Sequence, residues 1–395
     1  MLGLAAQLSS ESGLREALQR GERLDAGWEP ANLGNGHAGI ALLHLECFRH
    51  DEESEHLTAA LASLQRATAA TNSTAGTRLG LLGGSAGLAF VFDLFARFEP
   101  RFSRSAERLR FRLIDAALDT KLPYDYDRFP EASADFVSGV AGLLTYLHWS
   151  GDRSLPCMHA MRALSDFLAW HFEGPSIESR LLSRPFEDVP GSDYAARHPN
   201  GVVSFGRGHG MAGLIRGMTD AYDLLGGSRL RSAIQRAADY LDAAANRPSA
   251  GGHLAIAATP DASSGHALHF DRARSLAWCS GSSGVQVSLQ RAGLALNDPD
   301  IVAAAEKFHA LAHHHDPLPS GLCHGREGID LAAALFQRRS GEQALSSGAS
   351  GSPREDDADA IARNAPTFLE GTVGVALSNV ARHEHVEPHW VQIIF

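Results

Sequence analysis

Two cysteines and two histidines stand at matching places in front of Gly-x-x-Gly steps. Cys279 and Cys323 lie two residues before the first glycine of their step, and His209 and His324 lie one residue before it. Two thiols and one imidazole form a Cys₂His donor set, which leaves the fourth tetrahedral position of Zn²⁺ open, as a catalytic site requires. Thiolate ligands also favour zinc over magnesium or calcium. The alternative is two ordinary buried cysteines and a structural histidine.

An acidic residue shares this register with His209. Asp135 lies four residues before the first glycine of the third step, so both side chains are expected at the same end of the fold. A His–Asp pair holds one imidazole tautomer and raises its basicity, which suits general acid–base catalysis. A histidine before a helix start can alternatively cap or pack. Cys47 and Cys157 fall outside the register and are predicted to be structural.

The Gly-x-x-Gly step occurs seven times, and each step opens an apolar run with helical spacing. The distance between successive first glycines ranges from 44 residues (Gly281 to Gly325) to 71 residues (Gly139 to Gly210). Repeats of this length are typical of stacked helical hairpins. The steps are Gly36–Gly39, Gly84–Gly87, Gly139–Gly142, Gly210–Gly213, Gly281–Gly284, Gly325–Gly328 and Gly371–Gly374.

Amphipathic segments alternate with these apolar runs. Apolar inner helices covered by amphipathic outer ones predict an all-α fold, an α,α-toroid: a seven-fold α/α barrel of about fourteen helices, with the glycine steps opening the inner ring. Glycine lacks Cβ, so the steps are expected to permit close backbone approach and unusual φ angles where inner helices crowd together. The amphipathic segments are 11–21, 54–70, 104–119, 156–172, 228–245, 297–314 and 355–364.

We expect a single domain over residues 1–395. Segments 173–206 and 248–275 predict loop insertions, the second with a short β-like stretch from His253 to Ala258. The Gly/Ser/Asp-rich segment 346–359 is predicted to be mobile.

Composition excludes several classes of function. The 395 residues carry 35 Lys and Arg against 46 Asp and Glu, a net charge of −11, which disfavours nucleic acids and anionic membranes as partners. Four cysteines are too few for a disulfide scaffold in so long a chain. Neither a secretory signal nor a membrane span is evident, so a reducing cytoplasm is the expected compartment, where thiols remain free to bind metal.

Three segments carry a resemblance to a known family. They are GRGHGMAGL at 206–214, AWCSGSSGV at 277–285 and GLCHGREGID at 321–330. In this order they resemble the lanthionine synthetase C-like family, the LanC-type cyclases. The remaining glycine steps fit the seven-fold repeat of that family, so the resemblance covers essentially the whole chain.

The resemblance implies an α,α-toroid whose zinc is bound by Cys279, Cys323 and His324. It implies addition of a peptide cysteine thiol to dehydroalanine or dehydrobutyrine, which closes a lanthionine or methyllanthionine thioether ring. His209 is then the acid that protonates the α-carbon, and Asp135 orients His209 or helps to remove the thiol proton. The expected partners are a dehydrated precursor peptide with a leader and a separate dehydratase.

The chain departs from the family pattern near the first zinc cysteine. Ser280 stands where the family commonly has tyrosine, and Ser282 and Ser283 fill a step that often contains proline. Trp278 and Arg274 are the substrate-binding residues that the resemblance suggests, although Arg274 is offset by one position from the arginine of the family.

Three other functions remain open from the sequence. The first is addition of a small thiol such as glutathione to dehydrated residues. The second is a non-catalytic, zinc-containing peptide-binding toroid. The third is an α/α-barrel glycosidase, which would use paired carboxylates such as Asp135 and Glu370.

Overall fold

The fold is described from a computed structural model. It covers residues 1–20, 28–71, 78–124, 129–183, 201–245, 257–260, 268–271, 276–311, 320–340, 365–382, 384 and 386–395. The predicted insertion 248–275 lies mostly outside these residues, as do residues 184–200 of the other insertion, the predicted mobile segment 346–359 and the predicted helix 355–364. None of the helices within these ranges combines the length and the apolar character needed to cross a bilayer.

Helices dominate the described residues. In chain order they are α1 (Leu2–Leu8), α2 (Glu11–Arg20), α3 (His37–Asp51), α4 (Ser54–Thr71), α5 (Ser85–Phe98), a 3₁₀ turn (Pro100–Phe102), α6 (Ser103–Asp119), α7 (Glu131–Ala134), α8 (Val140–Ser150), α9 (Leu155–Trp170), α10 (Glu178–Leu181), α11 (Met211–Leu225), α12 (Ser228–Ala245), α13 (Ser282–Leu296), α14 (Pro299–Leu311), α15 (Arg326–Arg339), α16 (Thr372–Ala381) and α17 (His389–Ile394).

The chain divides into two compact units, one of residues 1–116 and 316–395 and the other of residues 117–315. In the first unit, α3 packs against α4, α5 and α16, and α16 packs against α15. In the second, α11 packs against α8, α9, α12 and α13. The prediction of a single domain stays a prediction.

Each glycine step begins a buried helix, as the repeat predicts. These helices are α3, α5, α8, α11, α13, α15 and α16, and their residues are mostly buried. The predicted amphipathic segments, apart from 355–364, are the helices α2, α4, α6, α9, α12 and α14, with ends within a few residues of those expected.

The glycines let the preceding loop fold back onto the helix start. His37 N donates to Pro30 O at 3.0 Å and Thr372 N to Ala365 O at 3.0 Å, so loop carbonyls take up N–H groups of the first turn that have no partner within the helix. A Cβ on Gly371 would lie 1.8 Å from Ala365 O, a contact that only glycine avoids. The expected close approach is therefore confirmed.

The expectation of unusual φ angles at these steps is wrong. The first glycines have φ between −151° at Gly84 and −107° at Gly139, the extended conformation that any residue adopts. The steps require glycine because neighbouring backbone atoms leave no room for a side chain, not because of a left-handed backbone.

A small antiparallel sheet lies in the second unit. Strand β2 (Ala257–Pro260) pairs with β1 (Val203–Ser204) and with β3 (Leu268–Asp271). The β-like stretch expected from His253 to Ala258 thus overlaps β2 at its last two residues, and the rest of it lies outside the described residues.

Candidate metal centre and acid–base pair

Main-chain hydrogen bonds align the loops in front of three helices in the second unit. Phe136 N donates to Gly208 O at 3.2 Å, and Gly208 N donates to Cys279 O at 2.7 Å. A Cβ on Gly208 would lie 3.1 Å from Cys279 Cβ, so glycine permits this approach. The three loops that carry Asp135, His209 and Cys279 therefore lie side by side.

The first unit repeats this arrangement around Cys323. Cys323 N donates to Leu369 O at 2.8 Å, Leu369 N donates to Gly34 O at 3.1 Å, and Gly34 N donates to Leu82 O at 2.8 Å. All four residues lie two positions before the first glycine of their step. Residues at the same position relative to their glycine steps are thus joined by main-chain hydrogen bonds.

Asp135 accepts hydrogen bonds at both carboxylate oxygens. His209 Nδ1 lies 2.6 Å from Asp135 Oδ2, and the backbone N–H groups of Ser138 and Gly139 donate to Asp135 Oδ1 at 2.6 and 2.9 Å. The Asp135 side chain is 2% exposed, whereas that of His209 is 42% exposed. Because Nδ1 faces the carboxylate, the proton that His209 can give to a substrate is the one on Nε2.

The surroundings of His209 favour its protonated form. Burial by itself lowers the pKa of an imidazole, but the hydrogen bond to Asp135 and the charges of Asp135, Glu131 and Cys279 outweigh it and raise the pKa of His209 from 6.5 to about 9. The imidazole is therefore charged at neutral pH, and it can act as a proton donor.

A small crevice with no room for a water molecule lies beside His209. Glu131 reaches it from α7. Burial raises the pKa of Glu131 to about 8. The charge of Asp135 also raises this pKa, whereas the charge of His209 lowers it. The remaining lining residues are Phe129, Leu181, Ser183, Ser204, Gly210, Met211 and Leu214.

Cys279, Cys323 and His324 form the predicted donor set. Cys279 lies in the second unit and the consecutive Cys323 and His324 in the first, and each offers one ligand atom. The cysteines are 6% and 7% exposed, whereas the His324 side chain is 57% exposed. All four cysteines, including the buried Cys47 and Cys157, are reduced.

Carboxylates support the loop that carries Cys323 and His324. Glu370 Oε1 lies 3.2 Å from His324 Nδ1, and both side chains are more than half exposed. Glu327, which is 1% exposed, accepts a hydrogen bond from Gly321 N at 2.6 Å. A carboxylate on a metal-binding histidine fixes its tautomer and raises its basicity as a ligand.

The two expected substrate-binding residues stay predictions. Trp278 is fully buried, with its ring centroid 6.1 Å from that of Phe136, so it supports the loops from within. Arg274 lies outside the described residues. The fully buried Arg207 lies beside both rings, its guanidinium 4.4 Å from the Phe136 centroid and 6.0 Å from that of Trp278, and it donates to Ser288 Oγ at 2.7 Å.

Sequence reasoning missed three supporting residues, Glu131, Glu327 and Arg207. A signal existed for Glu131, since it lies four residues before Asp135 in a helix-forming stretch, a spacing that places side chains on one face. Glu327 lies inside the Cys-His-Gly-x-x-Gly motif itself. No sequence feature distinguished Arg207 from a surface arginine.

Comparison with known proteins shows the family to which the chain belongs. The sequence model of the family described as lanthionine synthetase C-like protein matches residues 27–393. The match covers more than nine tenths of the chain, including Asp135, His209, Cys279, Cys323 and His324. The chain therefore belongs to the lanthionine synthetase C-like family, and the resemblance seen in the sequence is confirmed.

Among solved structures, the chain is similar to nisin cyclase. The two share 18% sequence identity, the match covers 96% of this chain and 95% of that chain, and the TM-score is 0.75. The likeness confirms the predicted all-α fold, an α,α-toroid. No curated protein sequence gives a significant match.

Proposed function

We propose that this protein is a zinc-dependent cyclase that adds peptide cysteine thiols to dehydroalanine or dehydrobutyrine and forms lanthionine or methyllanthionine rings. The observation that carries the proposal is that two thiols and one imidazole, those of Cys279, Cys323 and His324, stand at matching places before their glycine steps. Membership of the lanthionine synthetase C-like family and the likeness to nisin cyclase support a peptide substrate.

The donor set suits zinc in ligand type, since zinc binds cysteine thiolates and histidine nitrogens. Three protein ligands leave one position for an exogenous thiol, which bound zinc would hold as a thiolate at neutral pH.

The protein's own residues supply the proton. Attack of the thiolate sulfur on the β-carbon forms the C–S bond and moves the π electrons toward the carbonyl oxygen. His209 then gives the Nε2 proton to the α-carbon, which completes the addition and leaves a neutral imidazole. Asp135 holds Nδ1, so it orients the ring and stabilises the charged form before the transfer.

A separate dehydratase and a leader-bearing precursor peptide belong to the same proposal. The reaction consumes dehydrated serine or threonine residues, so a dehydration step must precede it. The Cys-containing peptide is then both nucleophile and acceptor, which makes the addition intramolecular.

The test combines metal content with thiol loss. Purified protein is expected to contain about one zinc per chain, and Cys323→Ala to lose zinc affinity by more than about 100-fold, since removing even an outer partner of a ligand costs 10–100-fold. Cys157→Ala, which removes a buried cysteine outside the donor set, is the matched control and should retain zinc.

Activity is measured on a peptide with one dehydroalanine and one cysteine. The wild type should consume the thiol with no change of peptide mass, and Cys323→Ala should not. A mass increase with added glutathione would instead indicate addition of a small thiol. Tight peptide binding without thiol loss would indicate a non-catalytic module, and either result contradicts the cyclase.

A further inference from the structure

The Arg207 side chain is fully buried within the second unit, two residues before His209. Arginine is almost never fully buried unless other groups offset the lost hydration of its charge. An apolar residue would fill the same space without that cost. The contacts of the guanidinium group therefore indicate what this arginine does.

The Arg207 guanidinium group contacts the loops on both sides of its own. It lies over the Phe136 ring, 4.4 Å from the centroid, and 6.0 Å from the centroid of Trp278. Phe136 directly follows Asp135, and Trp278 directly precedes Cys279. The attraction between a cation and an aromatic ring is stronger away from water than at an exposed site. Arg207 thus connects its own loop to the loops of two site residues.

A third contact of Arg207 reaches helix α13. Arg207 Nη1 donates to Ser288 Oγ at 2.7 Å, and Ser288 lies in that helix. A guanidinium group carries five donors in a flat fork, so it can lie against aromatic rings and donate to a hydroxyl group at once. A lysine ammonium is a compact point charge and lacks this shape. The combination of contacts is therefore specific to arginine.

The backbone around Arg207 is tightly packed. A Cβ on Gly213 would lie 2.3 Å from Arg207 O, and a Cβ on Gly284 would lie 2.6 Å from Arg207 Cβ. Gly213 and Gly284 are the second glycines of their steps, so α11 and α13 both approach Arg207 closely. In such packing, a change of side chain displaces the neighbouring groups.

We propose that Arg207 is a positioning residue, whose guanidinium group fixes the relative orientation of the loops that carry Asp135, His209 and Cys279. Its effect on catalysis rests on the proposed cyclase function, because Arg207 acts through His209 and does not contact the substrate.

Orientation of the loops matters for the acid–base pair. The main-chain hydrogen bonds between the loops set their distance, but hydrogen bonds to a carbonyl oxygen tolerate a broad range of angles. The contacts of Arg207 on both sides restrict that freedom. The hydrogen bond of 2.6 Å between His209 and Asp135 joins two repeats, so it depends on the orientation of their loops. Misplacement of a reacting group by about 1 Å costs about 10²-fold in rate.

Two substitutions of Arg207 test this role through the rate of thiol consumption. Arg207→Met keeps a long side chain without charge or donors, and Arg207→Lys keeps the charge without the flat fork. Both should lower kcat by about 10²-fold. KM should change little, because Arg207 does not contact the substrate.

Arg231→Met is the matched control. Arg231 lies over the Tyr222 ring, 5.7 Å from the centroid, and donates to Leu296 O at 2.8 Å, so the variant loses the same kinds of contact. Tyr222 and Leu296 lie in the last turns of α11 and α13, away from the loops that precede these helices. This variant should keep wild-type kcat.

The second readout needs no substrate. In the wild type, the Nδ1 proton of His209 faces Asp135 and should give a downfield proton resonance in NMR, assigned by its loss in His209→Gln. The resonance should disappear in Arg207→Met and Arg207→Lys and persist in Arg231→Met. An arginine with only a structural role would affect the melting temperature and leave the resonance in place.

The outcomes distinguish this inference from the cyclase proposal. If the wild type consumes no thiol, the cyclase proposal falls, and the resonance still decides whether Arg207 positions the pair. If Arg207→Met keeps the resonance, or if Arg207→Lys restores both the resonance and kcat, the positioning role is overturned and the cyclase proposal stands.

Should both Arg207 variants fail to fold, Ser288→Ala decides. It removes the acceptor of the Arg207 hydrogen bond and leaves the guanidinium group in the protein. The smaller displacement should weaken the His209 resonance and lower kcat by about tenfold. A wild-type resonance and wild-type kcat in Ser288→Ala would overturn the role of Arg207.

Discussion

Two histidines occupy the same place in different repeats, and each lies beside a carboxylate whose surroundings differ. His209 and His324 each lie one residue before the first glycine of their step. His209 meets a carboxylate that is 2% exposed, at 2.6 Å, whereas His324 meets Glu370, which is 59% exposed, at 3.2 Å. The register is shared, but the degree of burial of the carboxylate is not.

The difference shows how one scaffold produces two kinds of histidine. Asp135 is fixed by two backbone N–H groups, and its hydrogen bond and charge are the main causes that raise the pKa of the His209 imidazole to about 9. Glu370 lies in water, which screens its charge, so its main effect on His324 is orientation. We infer that the burial of its carboxylate partner decides whether a histidine acts as a proton donor or as a metal ligand.

The largest effect on kcat is expected from a substitution of His209. His209→Gln removes the proton donor and should lower kcat by about 10²–10⁴-fold. Zinc content, measured by elemental analysis, should stay at the wild-type level, because His209 is not in the donor set. His148→Gln, which changes another histidine near aspartates, is the control and should keep wild-type kcat. Loss of zinc from His209→Gln would contradict the assignment of His209 as a proton donor and not a metal ligand.

A smaller effect is expected when the charge of the buried partner is removed. In Asp135→Asn the Oδ1 acceptor for Ser138 and Gly139 is kept, but the amide no longer favours a charged His209, so the pKa of His209 falls from about 9 toward its ordinary value of 6.5. The protonated fraction at pH 8 falls by about 30-fold, and kcat should fall with it.

Lower pH should restore Asp135→Asn. The wild-type imidazole is protonated below about pH 9, whereas the variant requires pH 6 or less, so the loss of kcat should shrink as the pH is lowered. Titration of the His209 ring protons by NMR reports the pKa directly. A variant whose loss is the same at pH 6 and pH 8 would show that Asp135 acts by position alone.

The smallest effect is expected for the exposed partner. Glu370→Gln should weaken zinc binding by about tenfold, the low end for an outer partner of a ligand, because solvent already screens the pair. With zinc in excess, kcat should equal that of the wild type. Competition with a chelator measures the affinity, and Glu306→Gln on α14 serves as the control. A loss of kcat at saturating zinc would mean that Glu370 acts on the substrate.

The repeat made most of this architecture predictable from sequence. Seven glycine steps located the buried helices, and aligning them placed Cys279 and Cys323 in one column and His209 and His324 in the next. Positions that align between repeats predict which residues lie close together, because equivalent loops of a repeat are joined by equivalent main-chain contacts. The contact between His209 and Asp135 follows from the same logic.

Properties that depend on burial were not predictable in this way. The pKa of Glu131 depends on which side chains cover it, and these include residues distant in the sequence such as Leu214. The glycine φ angles were predicted wrongly, since the sequence shows that a side chain is excluded but not whether sterics or backbone conformation excludes it.

The loop-to-loop hydrogen bonds have a consequence for how this chemistry can change. The contacts that bring Cys279 and Cys323 into place run through peptide groups, from Gly208 N to Cys279 O and from Cys323 N to Leu369 O. Since these hydrogen bonds need no side chain, side chains in the loops before the helices can be exchanged without breaking the bonds. Side chains at these positions can therefore change while the main-chain hydrogen bonds hold the loops in place.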